Sequence, residues 1–425
     1  MTALGRGFQM PNFTYFNGNQ GAYRWGDLNT DDYNVNTWNS SGATLVYNGN
    51  DGPYDPTRSP YRAELVFANA VEHTIETGPD AGDTVFIGGK LKTIRYYNKN
   101  GDLIMEITGL DISLSWLSAQ LRSNDLYDLG RAIYAKGATF IGSNDGSGPD
   151  SDWTGESINT SYRNDKVKAK GGDDYISDFG GADVYNGGGG WDTVSYMEVY
   201  WNPHLGTKGI KVDFNKGTIR GYDGKVDTIK SIEGVRGTYM KDTFYGDKKD
   251  NAFMGLAGND YINGRGGFDY VQYRRDDQQG GTDGVKVDLK AGTARDGFGN
   301  TDTLVSIEGA GGTDYNDVFR DNKKDNFFRG RDGDDRFILT KGDDRVRGDD
   351  GADTFVFKSN NWEHDWIEDF DDSEGDKIEL NHATQFSDLT IFQDGSNTVI
   401  EYQGNSITLE DFTATDLDAG DFIFV

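Results

Sequence analysis

A large apolar residue returns every nine positions late in this chain, at Phe319, Phe328, Phe337, Val346 and Phe355. Two residues before each stands Asp317, Asn326, Asp335, Asp344 or Asp353. Two earlier blocks carry the same pairing. Asp165, Asp174, Asp183 and Asp192 precede Val167, Ile176, Tyr185 and Val194, with Glu156 and Ile158 one step further back; Asp242, Asn251, Asp260 and Asp269 precede Phe244, Phe253, Ile262 and Val271. One apolar side chain between polar neighbours predicts a very short strand with a single inward position. The glycines before the carboxylate predict a tight turn, because a residue without a Cβ enters positive φ freely. Two nine-residue units then close one coil of a solenoid, with a strand on each side, apolar side chains stacked inside and carboxylates along two edges. No unit buries a core alone, so the units must stack.

The clearest unit, Gly187-Gly188-Gly189-Gly190-Trp191-Asp192-Thr193-Val194, fits G-G-x-G-x-D-x-U-x with U a large apolar residue. It resembles the RTX, or hemolysin-type calcium-binding, nonapeptide repeat. The resemblance implies an all-β fold: a calcium-bound parallel β-roll or β-helix solenoid, here with a small β-rich N-terminal module and short capping helices. It implies several Ca2+ ions as cofactor, with Asp165, Asp174, Asp183, Asp192, Asp242, Asp260, Asp269, Asp317, Asp335, Asp344 and Asp353 as metal ligands. The chemistry suits the pattern. Calcium takes about 6–8 oxygen ligands, so a turn must aim carbonyls and a carboxylate at one point. Two copies depart from the motif. Lys248-Lys249-Asp250-Asn251 and Lys323-Lys324-Asp325-Asn326 lack the glycine pair and place a neutral amide where the carboxylate belongs, which weakens any cation site there. Glu156, without preceding glycine pairs, is expected to cap the stack.

A longer repeat surrounds the short one. Trp191-Asp192-Thr193-Val194-Ser195-Tyr196 corresponds to Phe268-Asp269-Tyr270-Val271-Gln272-Tyr273. Asp213 and Asp288, like Asp227 and Asp302, recur 75 residues apart in matching surroundings, the latter pair followed by Ser231-Ile232-Glu233-Gly234 and Ser306-Ile307-Glu308-Gly309. Their alternation predicts strands, expected as wider coils that continue the stack. The organisation that follows is a β-rich module over 1–110, a helical cap over 111–136, the roll over 137–360 with inserts at about 195–240 and 272–315, and C-terminal strands over 361–425.

Charge narrows the partners. The 425 residues carry a formal net charge of −29, which opposes binding to nucleic acid or to anionic membranes and leaves a compact fold self-repelling unless cations neutralise it. No apolar run is long enough to span a bilayer. With no cysteine there are no disulfides to supply rigidity, so bound ions are expected to supply it. The N-terminus lacks the apolar stretch of a secretory signal peptide. Residues 361–425 contain one lysine or arginine, Lys377, and end in Asp421-Phe422-Ile423-Phe424-Val425, similar to the uncleaved C-terminal signal of RTX proteins exported by a type I system of Gram-negative bacteria. The resemblance therefore implies the type I secretion apparatus as a transient partner and an extracellular or cell-surface location. Sites of extracellular modules bind calcium at about 10⁻⁴–10⁻³ M, so they are expected to stay empty in the cytosol and to fill, and fold the chain, outside.

The remaining segments bear on activity. Residues 62–67, 91–97 and 103–107 alternate as strands, with Asn98-Lys99-Asn100-Gly101-Asp102 as a hairpin turn. Ser113 is placed to cap a helix bearing Leu114, Leu117 and Leu121, and Leu126, Leu129 and Ile133 form a second helical face. Residues 142–153 lead into the repeats, and further strands are expected at 389–393, 398–402 and 405–409. Asp369, Asp371 and Asp376 are either one more calcium site or a solvated acidic loop. Neither H-E-x-x-H nor G-x-S-x-G occurs. Of the four histidines, His73, His204, His364 and His382, only His73 precedes the repeats, and Asn202-Pro203-His204 lies in an insert. Tyr15, Tyr23, Trp25, Tyr33, Trp38, Tyr47, Tyr54 and Tyr61 offer either a module core or a sugar-stacking face. The reading is a non-enzymatic, secreted protein acting at the cell surface or in the matrix, through self-assembly or contact with extracellular polysaccharide. The alternative is a carbohydrate-active enzyme, of lyase or epimerase type, with its site in the N-terminal module.

Overall fold

The computed structural model describes residues 33–39, 42–47, 62–74, 84–97, 103–108, 110, 112–114, 139–141, 157–160, 162–197 and 208–425. They belong to two compact units, residues 1–206 with 217–232, and residues 207–216 with 233–425.

In the first unit the strands Tyr33–Asn39, Gly42–Tyr47, Arg62–Thr74, Thr84–Tyr97 and Leu103–Thr108 pair antiparallel in chain order. Tyr97 stands opposite Leu103, as the expected hairpin requires, although 98–102 lie outside the described residues. Leu65, Phe67, Leu91, Ile94 and Ile107 are buried, the core that alternation predicts for one face of a sheet. The sheet then changes direction without a break. Leu103–Thr108 pairs antiparallel with Thr139–Ile141, and Thr139–Ile141 pairs parallel with Lys166–Gly171, the first strand of one side of the coils. From there Val184–Gly189 and Val226–Lys230 continue in parallel, while Ser157–Asn159, Tyr175–Ser177 and Thr193–Ser195 form the other ladder. The module thus offers the first coil a hydrogen-bonded edge to grow on.

Several expectations fall outside the described residues: Glu156, Leu117, Leu121, Leu126, Leu129, Ile133, His204, segment 142–153, and Tyr15, Tyr23, Trp25, Tyr54 and Tyr61. The side chains of Tyr33, Trp38, Tyr47 and His73 do as well. Of the expected helical cap, Ile112–Ser113 is a short strand against Lys90 and Leu91, and Leu114, helical and fully buried, follows it.

In the second unit one ladder runs through Thr243–Tyr245, Tyr261–Asn263 and Thr301–Val305, and through Val318–Arg320, Arg336–Leu339, Thr354–Phe357 and Lys377–Leu380. The opposite ladder is Gly234–Arg236, Ala252–Met254, Tyr270–Gln272, Gly309–Gly311, Phe327–Arg329, Arg345–Arg347 and His364–Ile367. All these pairs are parallel, and within the nonapeptide blocks partners are two repeats apart, as one coil per two nonapeptides demands. Inside, Phe337 stacks between Phe319 and Phe355, at ring distances of 5.2 and 5.3 Å, while Phe328 of the opposite ladder meets Phe319 at 5.4 Å.

The long insert does continue the stack, but not as a wider coil. Lys286–Asp288, Thr293–Arg295 and Thr301–Val305 form an antiparallel meander set into the parallel ladder, joining Tyr261–Asn263 on one side to Val318–Arg320 on the other. Alternation reports strands and not their direction, so the sequence pattern could not distinguish the two. At the C-terminal end Thr390–Asp394, Asn397–Tyr402 and Asn405–Leu409 form the expected strands, antiparallel to one another, and Asn405–Leu409 joins His364–Ile367. Phe422–Phe424 adds to Lys377–Leu380.

Candidate metal centre

Each repeat carboxylate closes a turn immediately before a strand, and its two oxygens have different surroundings. The first ties one coil to the coil before it. Oδ1 of Asp335 accepts the backbone N–H of Asp317 at 2.7 Å, Asp353 that of Asp335 at 2.8 Å, Asp344 that of Asn326 at 2.8 Å, Asp260 that of Asp242 at 2.7 Å and Asp269 that of Asn251 at 3.0 Å. In the first unit Asp183 accepts from Asp165 and Asp192 from Asp174. All eleven carboxylates expected from the sequence are buried, at 1% exposure or less.

The second oxygen separates the copies. Oδ2 of Asp260, Asp269, Asp335, Asp344 and Asp353 is shut off from solvent and accepts no hydrogen bond from the protein. Burial pushes these carboxyls up, Asp260 to about 10, Asp335 to about 9, Asp344 and Asp353 to about 8 and Asp269 to about 7. The carboxylates of adjacent coils add to it, Asp242 and Asp302 acting on Asp260, and Asp317 and Asp353 on Asp335. A dry carboxylate oxygen without a donor must gain a proton or a cation. These oxygens form rows along the edges of the coils, and they fit calcium, whose ligands are oxygens and whose charge would return each group to its ionised form.

The glycines make room for that oxygen. Five residues before the carboxylate stand Gly255, Gly264, Gly330 and Gly348, and a Cβ on any of them would overlap Oδ2 of Asp260, Asp269, Asp335 or Asp353. A different need acts two residues before the carboxylate, where Gly258, Gly267, Gly333, Gly342 and Gly351 have φ between 108° and 144°.

Asp242 and Asp317 belong to another kind of turn. Thr238 and Thr313 donate their N–H to Oδ2, at 2.6 and 2.7 Å, and their hydroxyls to Oδ1, at 3.0 and 2.9 Å. Both oxygens are satisfied by the protein, and burial lifts these carboxyls to about 7, as it does Asp269, so the hydrogen bonds and not the shift set them apart. Asn251 and Asn326 follow the same plan, accepting the N–H of Asp247 and Asn322. Their lysines reach back one coil: Lys324 Nζ lies 2.6 Å from Glu308 and Lys249 Nζ 3.7 Å from Glu233. At these seams an ammonium and an amide stand where other coils place unpartnered carboxylate oxygens.

The row also contains carboxylates that the nine-residue count passes over. Asp227 Oδ1 accepts the N–H of Asp183, Asp302 that of Asp260, Asp365 that of Asp344, Asp376 that of Asp353, and Glu308 Oε2 that of Asp269. Asp365 Oδ2 is another buried oxygen without a protein donor. A signal for four of them was present, an apolar residue two positions on at Ile229, Leu304, Ile367 and Ile378. The loop acids Asp369 and Asp371 are held separately, Asp369 by the N–H groups of Gly348 and Asp349 and Asp371 by Ser373.

Comparison with known proteins agrees with the repeats. The RTX calcium-binding nonapeptide repeat matches in four copies, residues 160–194, 236–271, 311–344 and 338–361, which contain every carboxylate expected from the sequence. No curated protein matches the chain. Among solved structures the chain is similar to the extracellular lipase LipA from Serratia marcescens, at 18% identity over 64% of this chain and 38% of the lipase, with a TM-score of 0.19. Among the described residues no helix is long and apolar enough to cross a membrane.

Proposed function

We propose that this chain, which carries RTX calcium-binding repeats, is exported unfolded by a type I system, folds as calcium fills its carboxylate rows, and serves outside the cell as a non-enzymatic surface or matrix protein. One observation carries the calcium part: the buried Oδ2 atoms of Asp260, Asp269, Asp335, Asp344 and Asp353 without protein donors. These residues, with Asp174 and Asp192 of the first unit and Asp365, are the proposed ligands; Asp242 and Asp317, already saturated by threonine, are proposed to be structural. Calcium supplies the compensating charge. The chain supplies glycine turns that leave space for the free oxygen and a backbone N–H that fixes the other.

The non-enzymatic part is supported by how the described groups are used. The buried repeat carboxylates are committed to holding coils together, and His364 and His382 are exposed, in contact with the Ser406 hydroxyl and the Lys358 carbonyl. Circular dichroism with calcium and with chelator tests the folding claim: β signal should be large with calcium and mostly lost without it, and equal spectra at neutral pH would sink it. Particle size tests the role. Calcium-dependent multimers or cell-bound protein are expected, whereas a monomer that depolymerises an acidic glycan would overturn the non-enzymatic reading.

A further inference from the structure

Among the described residues, Asp178, Asp183 and Asp227 each bring a carboxylate oxygen within 4.8 Å of the others, and all three are buried. Only Asp183 occupies the repeat's carboxylate position. Asp178 stands five residues earlier, where most other copies have glycine, and Tyr185 stands at the inward apolar position; the corresponding copy has Gly255 and Ile262.

The hydrogens in this pocket do not suffice for its oxygens. Asp178 Oδ1 accepts the N–H of Gly180 at 2.8 Å, Asp183 Oδ1 that of Asp165 at 2.7 Å, Asp227 Oδ1 that of Asp183 at 2.8 Å, and Asp227 Oδ2 the Tyr196 hydroxyl at 2.7 Å. Asp178 Oδ2 and Asp183 Oδ2 both lie 2.6 Å from the Tyr185 hydroxyl. A phenol has one proton to donate, so one of these short contacts is oxygen against oxygen.

An independent group points the same way. Tyr222 is 3% exposed and its hydroxyl has no hydrogen-bond partner. That hydroxyl lies over Gly180, 3.2 Å from where a Cβ would be, beside the N–H that Asp178 holds, and its ring packs edge-on against Tyr196. The nearby Lys225 is half exposed and pairs with Asp223 at 3.2 Å. A dry pocket of carboxylate and phenol oxygens that lacks one positive charge is a site for a hard cation.

We propose that Asp178, Asp183 and Asp227, with the hydroxyls of Tyr185, Tyr196 and Tyr222 around them, form a divalent-cation site of the calcium class, separate from the repeat sites. It shares Asp183 and Asp227 with the carboxylate row and rests on the ladder reading through them, while Asp178 and the tyrosines are its own.

Terbium, which replaces calcium and emits when a tyrosine beside it is excited, is the probe, together with a count of bound calcium by equilibrium dialysis of the whole protein. The wild-type protein should emit on tyrosine excitation. Asp178→Gly, which keeps all three tyrosines, should lose part of that emission, tyrosines beside other row carboxylates such as Tyr273 at Asp302 supplying the rest, and about one calcium per chain, within the coordination demand of a single site. Tyr222→Phe should weaken terbium binding several-fold with folding unchanged. Should Asp178→Gly disturb folding, Asp178→Gly with Tyr185→Ile recreates the Gly255 and Ile262 pair and should show the same loss of one ion. An unchanged ion count in both glycine variants overturns the proposal, and the calcium-driven change in circular dichroism, read in the same samples, reports the ladder separately.

Discussion

At the scale of single residues, the two glycine positions of the repeat answer different physical needs. Gly333 and Gly351 hold a left-handed backbone, whereas Gly330 and Gly348 leave space for a carboxylate oxygen. Gly330→Ala should therefore push Asp335 Oδ2 out of place and lower stability in calcium by roughly 1–3 kcal/mol, the usual cost of forcing atoms into a packed site. Gly266→Ala, whose Cβ would meet nothing within 4 Å, should stay within about 0.5 kcal/mol. Denaturant unfolding in calcium checks both, and equal losses would refute the distinction. The carboxylates divide in the same way. Asp335→Asn should reduce the number of bound calcium ions; Asp317→Asn, at a carboxylate already saturated by Thr313, should leave that number unchanged in equilibrium dialysis. Sequence alone treats Asp317 and Asp335 as equivalent, because both precede an inward phenylalanine by two residues. Thr313, four residues before Asp317 where Asp335 has Arg331, was the visible difference, and its meaning required seeing which oxygen it occupies.

At the scale of elements, the coils are closed by two devices, and lysine marks the second. Where Asn326 replaces the carboxylate, its amide donates to the Glu308 carbonyl and Lys324 neutralises the Glu308 side chain. Lys324→Ala should cost about 0.5–1 kcal/mol, since the ammonium is largely solvated, and the loss should be the same with calcium or chelator. Thermal unfolding in both buffers, with chelator samples kept at mildly acidic pH, reads it out; a loss confined to calcium would mean the seam holds an ion after all. The strand ladders were legible because each nonapeptide contains its own apolar residue and turn. Their two-repeat register follows from a coil having two sides. The meander of Lys286–Asp288, Thr293–Arg295 and Thr301–Val305 was not legible, since its direction is set by long-range pairing with Tyr261–Asn263 and Val318–Arg320. Asp227 and Asp302 were missed for a related reason: the inserts interrupt the count of nine, while the ladder, built in space, continues through them.

At the scale of the whole molecule, a chain of net charge −29 folds around rows of buried acid, and protons and calcium compete to neutralise them. Burial raises Asp269 to about 7, Asp344 and Asp353 to about 8, Asp335 to about 9 and Asp260 to about 10, against about 3.9 for a free aspartate. Without calcium, the folded state thus holds these protons more tightly than the unfolded chain. The stability these groups contribute is fully present below about pH 4, declines above it as the unfolded chain ionises first, and is fully lost once pH passes the folded values of 7 to 10. Calcium acts in the opposite direction, since its ligands must be ionised, so its contribution grows with pH and fades on acidification. In chelator, circular dichroism should therefore show β structure returning as pH falls from neutral towards about 4, with calcium needed at neutral pH and above. Chelated protein that gains β structure as pH rises would contradict the burial of these carboxylates as the origin of calcium dependence. For the proposed export, the same competition would set the direction: at neutral pH and low calcium the unfolded chain ionises and the rows do not fold, whereas calcium outside the cell would neutralise and fold them.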